Sequence, residues 1–272
     1  MATDPPSQRS GDPDWAEFLT HPDTMYRRVR HVLSRIPSNP RCRLCAAPFA
    51  GPGAPVMRLI GKKPSDANPN YCTSCANILI KQRGGAEVEA SVLFADIRGS
   101  TALAEKMSPT AFRDLLDRFY STASDLVFQH DGMVDKFVGD ELVATYPPMM
   151  GMDPGATRAI GTARDLLLAT GHGDPGGPWA PVGAGVHAGR LWFGAIGDGA
   201  HIELTVVGDA VNVGARLAAQ AAAGEILVSA VAAEEARLDP ALERRTLELK
   251  GKEEAIEVVS VRVSPSAGGG AS

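Results

Sequence analysis

The sequence predicts an α+β fold, a ferredoxin-like βαββαβ core with a C-terminal extension, preceded by a small cysteine-rich metal-binding module. Three observations carry this. The stretch "EVEASVLFADIRG" holds a β-branched and aromatic run, Val92 to Ala95, that ends on Asp96, as a buried strand delivering a carboxylate would. "DKFVGDELVATY" at 135–146 reads as two short strands hinged at Gly139-Asp140, a two-residue hairpin turn. All four cysteines lie between positions 42 and 75, as two C-x-x-C pairs. With 272 residues, 44% of them apolar, the chain can bury one full core and a small second module.

Taken in order, residues 1–37 are expected to be a disordered start followed by a helical arm. In the arm, Tyr26, Val29, Val32 and Leu33 form an apolar stripe that Pro37 closes. Residues 38–82 surround the cysteines with "APFAGPGAPVMRLIGKKPSDANPN", too rich in Gly and Pro for a long helix or a broad sheet, so this module needs a staple. The core is expected over 86–263. After the Asp96 strand, Ser108-Pro109 starts a helix. Phe112, Leu115, Leu116, Phe119, Tyr120, Ala123, Leu126 and Val127 keep helical spacing along it until Asp131-Gly132. The hairpin comes next, then a helix over about 154–170 and the Gly-rich strand "PVGAGVHAGRLWFGAIG". Residues 264–272, ending "AGGGAS", read as a flexible tail.

A formal net charge of −5 implies no basic face, which disfavours nucleic acid as the main partner. No run is long and apolar enough to span a bilayer, and the polar, Pro-rich start has no signal-peptide core, so a cytoplasmic protein without a membrane partner is expected. In a reducing compartment Cys42, Cys45, Cys72 and Cys75 favour a metal site over disulfides. Four thiolates would hold a structural Zn²⁺; an iron–sulfur cluster, reversible disulfides and unligated thiols are the alternatives.

The βαββαβ topology makes the first and third strands neighbours, so Asp96 and Asp140 can meet. Paired carboxylates with a main-chain carbonyl such as that of Ile97 suit two hard divalent ions beside phosphates, although two solvated loop acids would look the same. In "ELTVVGDAVNVGARLAAQA", Asp209 can cap a helix that carries Asn212 and Arg216 four residues apart on one face, where an amide and a guanidinium could orient a ribose and hold phosphoryl charge. "LELKGKEEAIEVVSV" sets Lys250 and Lys252 around Gly251 in a hairpin, as a triphosphate clamp or merely a soluble edge.

Four segments in this order, "VLFADIRGSTALAE", "DGMVDKFVGDELVATYP" from Asp131-Gly132-Met133 onward, "GAGVHAGRLWFGAIG" and "TVVGDAVNVGARL", resemble the class III nucleotidyl cyclase catalytic domain of adenylate and guanylate cyclases, over about 86–263. The resemblance implies that Asp96, Asp140 and the Ile97 carbonyl bind two Mg²⁺ or Mn²⁺ ions. It implies that Lys136 and Thr205 select the base, with Lys136 pointing to ATP. Asn212 and Arg216 would orient the ribose and stabilise the transition state, and Lys250 or Lys252 would bind the triphosphate. It also implies a head-to-tail homodimer whose sites are built from both chains. Two positions depart from the pattern: Ser100 stands where many members have an aromatic residue, and Thr205 replaces the aspartate of mammalian adenylate cyclases. Guanylate or pyrimidine nucleotide cyclisation, and a catalytically degenerate nucleotide-sensing domain, are the alternative readings.

Overall fold

The computed structural model describes residues 13–20, 24–66, 68–81, 84–197, 203–248 and 255–263. Helices α1 (Pro13–Thr20), α2 (Thr24–Ser34), α3 (Ala54–Leu59) and α4 (Thr73–Lys81) precede the long strand β1 (Gly85–Ile97). Then come α5 (Ser100–Lys106), α6 (Pro109–Gln129), the hairpin β2 (Met133–Val138) and β3 (Glu141–Tyr146), α7 (Gly155–Ala169) and β4 (Val182–Ile196). β5 (Glu203–Val207), α8 (Asp209–Gln220), β6 (Glu225–Ser229), α9 (Ala230–Glu235), β7 (Arg244–Leu247) and β8 (Ile256–Arg262) complete the described chain. The expected β-α-β-β-α-β order is present, with the short helix α5 added after Asp96. The described strands form one sheet in the order β2-β3-β1-β4-β6-β8-β7, with β5 paired to β4 alone.

Each element follows from local chemistry. Ser108 caps α6 by accepting a hydrogen bond from the Ala111 amide at 3.2 Å, with Pro109 at the first helical position. After α6 the chain reverses through Asp131 in the left-handed region (φ 54°). The β2–β3 turn consists of Gly139 (φ 60°) and Asp140, as the sequence predicts. Alternation along β1 divides the core. Leu93, Ala95 and Ile97 pack with Phe119, Ala123 and Val127 of α6 and Ala159, Ala163 and Leu166 of α7. Val92 and Phe94 face the other way, the face that also carries Asp96 and is covered by α8 and the N-terminal segments.

The N-terminal segments have no core of their own. Trp15, Leu19, Leu33, the four cysteines, Tyr71 and Leu79 belong to the same buried cluster as Val88, Ala90, Phe94, Met133, Leu204 and Val206. The expected stripe on α2 holds for Leu33, which is buried, and Tyr26, which packs against the same cluster, but Val29 and Val32 are exposed, and Arg30 and Ser34 are the other buried residues. Arg30 is fully buried because its charge is met there. It donates to the carbonyls of Leu44 at 3.0 Å and Gly132 at 2.5 Å, and pairs with Asp131 at 3.5 Å. Asp209 is the first residue of α8 and not its side-chain cap; Gly208 takes the N-cap position, at φ 140°. The expectations for residues 1–12 and for the tail 264–272 fall outside the described residues.

Two glycines set how closely α8 lies on the sheet. A Cβ on Gly185 of β4 would stand 2.3 Å from the Ala218 amide nitrogen and 2.7 Å from the Gly214 carbonyl oxygen. A Cβ on Gly214 would meet Val92 at 2.8 Å and the Phe94 ring at 3.0 Å. Gly185→Ala is therefore expected to push α8 off the sheet and destabilise the fold by about 1–3 kcal/mol in chemical denaturation. Gly176→Ala, where a Cβ meets nothing within 4 Å, is the control and should stay within about 0.5 kcal/mol of the parent. Equal stability of the two variants would refute the close-approach constraint.

Candidate active site

Asp96 sits at the end of β1, where its register partners are Glu141 on β3 and Gly183 on β4. Asp140 is the second turn residue of the adjoining hairpin, so the two acids meet as the topology predicts. Burial, and next the Asp140 carboxyl, push the Asp96 carboxyl up to about 6, with Arg98 working against them. Burial and Asp96 likewise push Glu141 up to about 7. Asp140 Oδ2 is buried without a hydrogen-bond partner. Hence three acids crowd one strand end with too little positive charge to compensate them, a donor set that fits hard divalent cations. The only guanidinium paired with the cluster among the described residues is that of Arg98. It bonds Asp96, and donates to the Ala219 carbonyl at 3.2 Å, which ties the acid to the last turn of α8. Ile97, buried, is the last residue of β1.

A second cluster forms where β5 curls over the sheet to reach β2. The ladder pairs Thr205 with Gly194, near the end of β4 far from the Gly183–Asp96 pair, yet Lys136 Nζ donates to Thr205 Oγ1 at 3.4 Å. A β-bulge in β2 makes this possible. Val134 pairs with Ala144 and Lys136 with Val143, so Asp135 is the extra residue. Without the bulge, alternation would turn Lys136 toward the α6–α7 layer; with it, Lys136 shares the face of Val143 and Phe94. Asp135 is buried, and its Oδ2 lies 3.3 Å from Lys136 Nζ. Burial raises the Asp135 pKa, opposed first by the Thr205 hydroxyl and then by Lys136 and Arg43.

Asn212 and Arg216 stand on α8, Asn212 exposed and Arg216 half-buried. Lys250 and Lys252 lie outside the described residues, between β7 and β8, which pair antiparallel as a hairpin. The four cysteines converge: their sulfurs all lie within 4.8 Å of one another, buried and unbridged, with Cys45 and Cys72 sulfurs 3.7 Å apart. Sequence reasoning missed Arg98, Asp135, Glu141, Arg43 and Tyr71. An acid directly before the lysine in a strand, and an arginine inside a C-x-x-C, are the only signals that point to Asp135 and Arg43.

Residues 86–260 match the family profile described as the Adenylate and Guanylate cyclase catalytic domain. Among curated proteins, the chain is 28% identical over 188 residues to an adenylate cyclase of Anabaena cylindrica, covering 63% of this chain and 36% of that protein. It is 32% identical over 184 residues to the uncharacterized protein Rv1318c of Mycobacterium tuberculosis, covering 64% of this chain and 33% of the other. The chain thus spans about a third of the length of these relatives. Among solved structures, the guanylyl cyclase Cya2 superposes with a TM-score of 0.59 at 23% identity, over 67% of this chain and 97% of that one. The adenylyl cyclase CyaB from P. aeruginosa gives 0.57 at 23%, over the same shares. At that identity the structures share the fold, a mixed α+β cyclase fold. No helix among the described residues is long and apolar enough to cross a membrane.

The raised carboxyls set a pH dependence. Asp96 and Glu141 hold protons more tightly folded than unfolded, so the stability they contribute is fully present below about pH 4 and is lost as pH rises through about 6 to 7. In divalent-free buffer, the melting temperature of the double variant Asp96→Asn, Glu141→Gln is expected to exceed that of the parent at pH 8, with the gap closing toward pH 4. Millimolar Mg²⁺ should raise the parent at pH 8 and leave the variant unmoved. A gap independent of pH would overturn the assignment of the strain to these two acids.

Proposed function

Because the chain belongs to the adenylate and guanylate cyclase catalytic-domain family, we propose that it converts a nucleoside triphosphate, ATP in preference to GTP, into the 3′,5′-cyclic nucleotide and pyrophosphate. The observation that carries this reading is the pair of clusters on one face of the sheet: crowded acids at Asp96 and Asp140, and Lys136 within 3.4 Å of Thr205. One suits cations and phosphates and the other a base edge. Asp96, Asp140 and the Ile97 carbonyl would hold two Mg²⁺ or Mn²⁺ ions, which supply Lewis acidity toward the ribose 3′-hydroxyl and the triphosphate.

The chain's own groups position and stabilise. Lys136 donates to N1 of adenine, an acceptor; guanine presents a donor there and would leave the ammonium unpaired, at a cost of about 1–3 kcal/mol or more. The neighbouring Asp135 carboxylate supports this choice, because a Thr205 hydroxyl proton drawn toward it leaves the Thr205 oxygen to accept from the adenine amino group. Asn212 orients the ribose, and Arg216 meets the negative charge that grows on the α-phosphate. The bond from the 3′-oxygen to the α-phosphorus forms as the bond to the bridging oxygen breaks. Pyrophosphate leaves with that electron pair, and the hydroxyl proton passes to solvent. Lys250 or Lys252 is assigned to the triphosphate on the family resemblance alone.

The test is turnover of the four ribonucleoside triphosphates with Mn²⁺. Cyclic AMP is the expected main product, and Lys136→Glu should lower ATP turnover at least tenfold, by the cost of replacing a paired donor with an acceptor. Cyclic GMP as main product would favour the guanylate alternative; no cyclic product from any substrate would leave a degenerate domain. Asp96→Ala and Asp140→Ala should each abolish turnover.

The sites are proposed to be shared between two chains arranged head to tail, so that the acids come from one chain and Arg216 from its partner. Mixing Asp96→Ala and Arg216→Ala chains should then regenerate one intact site in each heterodimer. Random pairing makes half the dimers mixed, so activity should recover to about one quarter of the parent. Confirmed heterodimers no more active than the separate variants would refute the shared site.

A further inference from the structure

The four-cysteine cluster and the Lys136–Thr205 pair are joined by two hydrogen bonds that leave from the C-x-x-C segments themselves. Arg43, inside the first C-x-x-C, donates through its guanidinium to the Asp135 carbonyl at 2.8 Å. Tyr71, the residue before Cys72, accepts on its hydroxyl from the Leu204 amide at 3.3 Å. Asp135 directly precedes Lys136, and Leu204 directly precedes Thr205. Each residue of the base-facing pair therefore has its immediate neighbour anchored to the cysteine cluster. The two C-x-x-C segments are also joined to each other, by the Arg43 amide on the Asn70 carbonyl at 2.9 Å.

The cluster itself has the dimensions of a single-ion site. Metal–sulfur bonds of about 2.3 Å in a tetrahedron place neighbouring sulfurs about 3.8 Å apart, and Cys45 and Cys72 stand at 3.7 Å. A multi-iron cluster divides its four cysteines between two or more irons and has to hold the sulfurs on different irons farther apart. A disulfide would bring two sulfurs to about 2.05 Å, and all four cysteines are free. Isolated buried cysteines pack as small apolar groups, but four sulfurs from two distant segments converging within 4.8 Å need a cation to balance them as thiolates. Compensating donors are in place: the Cys72 amide donates to Cys42 Sγ at 3.3 Å, and Lys62 Nζ approaches Cys45 Sγ at 4.0 Å. Ala46, just past the first C-x-x-C, takes the left-handed conformation (φ 59°) that folds this turn back on itself, with its amide on the Cys42 carbonyl at 2.9 Å.

We propose that Cys42, Cys45, Cys72 and Cys75 hold one tetrahedral zinc ion, and that this ion fixes the substrate-base site by holding Asp135 and Leu204 in place through Arg43 and Tyr71. The identity of that site as the base site rests on the function proposed above. Binding is balanced by release of thiol protons as the four ligands become thiolates. Loss of the ion would free both C-x-x-C segments, slacken the β2 bulge and the edge strand β5, and separate Lys136 from Thr205. Arg43 and Tyr71 are positioning residues in this scheme, acting on substrate choice through Lys136 and Thr205.

The experiment uses the full chain. Elemental analysis of protein purified without added metal should give one zinc per chain, and Co²⁺ exchanged into the site should show the intense thiolate-to-cobalt absorption of a tetrahedral sulfur site. Zinc removal by a thiol-modifying reagent or chelator should raise hydrogen exchange in segments 133–138 and 203–207 while α7, on the other face of the sheet, keeps its protection. Because metal-free protein can simply unfold, the decisive variant is Arg43→Ala, Tyr71→Phe, which keeps all four ligands. It should retain the zinc, show the same raised exchange in the two segments, and lose about tenfold in the ratio of kcat/KM for ATP over GTP. Arg43→Lys, which keeps a donor, should recover part of that ratio. No stoichiometric metal would overturn the site; full zinc with unchanged exchange in both segments would overturn the coupling. Absence of cyclic product from the parent would defeat the proposed function alone, since metal content and exchange are read without turnover.

Discussion

The distance between α8 and the sheet is the constraint on which the site depends. Gly185 and Gly214 leave no Cβ at the crossing, so the helix backbone itself rests on β4 and on the Val92 and Phe94 side chains. That sets α8, the helix that carries Asn212 and Arg216, on the face that also carries Asp96. It also lets Arg98 span from the Asp96 carboxylate to the Ala219 carbonyl. A side chain at either glycine would lift the whole polar edge of α8 at once, because a helix moves as a rigid element and its contacts are backbone contacts. The reach from the Asp96 strand end to the last turn of α8 is thus set by an absence of atoms.

The same face is completed by the N-terminal segments, which reach it at a cost in buried charge. Arg30 is inserted into the core with two carbonyl acceptors and the Asp131 carboxylate, which His31 also contacts at 2.7 Å. Breaking one partner of such a buried pair costs about 3–5 kcal/mol, whereas an exposed pair contributes little. The α2 segment is therefore docked at Asp131-Gly132, the reversal that introduces β2. The hairpin that supplies both Lys136 and Asp140 is in this way contacted by the N-terminal segments at Asp131, Gly132 and Asp135.

Legibility in the sequence followed the range of the interaction. The apolar run Val92–Ala95 ending on Asp96, the Gly139-Asp140 turn and the Ser108-Pro109 helix start are local, and the strand end, hairpin tip and helix were readable from them. On α2, Val29 and Val32 were misread because Arg30 is buried by a carboxylate about a hundred residues away. A stripe rule then favours Val29 and Val32, which solvent reaches. Glu141 was overlooked because its register partner Asp96 lies on another strand, and Arg43 and Tyr71 because their acceptor and donor are 92 and 133 positions distant. No periodicity encodes such contacts.

The bulge at Asp135 shows how a single local irregularity joins these ranges. In a regular ladder, residues 135 and 136 would face opposite sides, and Lys136 would enter the apolar layer where Phe137 now stacks on Tyr120 at 4.0 Å. One extra residue turns the lysine to the polar face, and buries the Asp135 carboxyl beside it. A bulged residue has no ladder partner, so its backbone groups need another one. The Asp135 carbonyl finds it in Arg43, outside the sheet. The irregularity that aims the lysine is thus the same one that leaves a main-chain acceptor open to the cysteine-bearing segment, and the orientation of the one and the anchoring of the other are a single structural event.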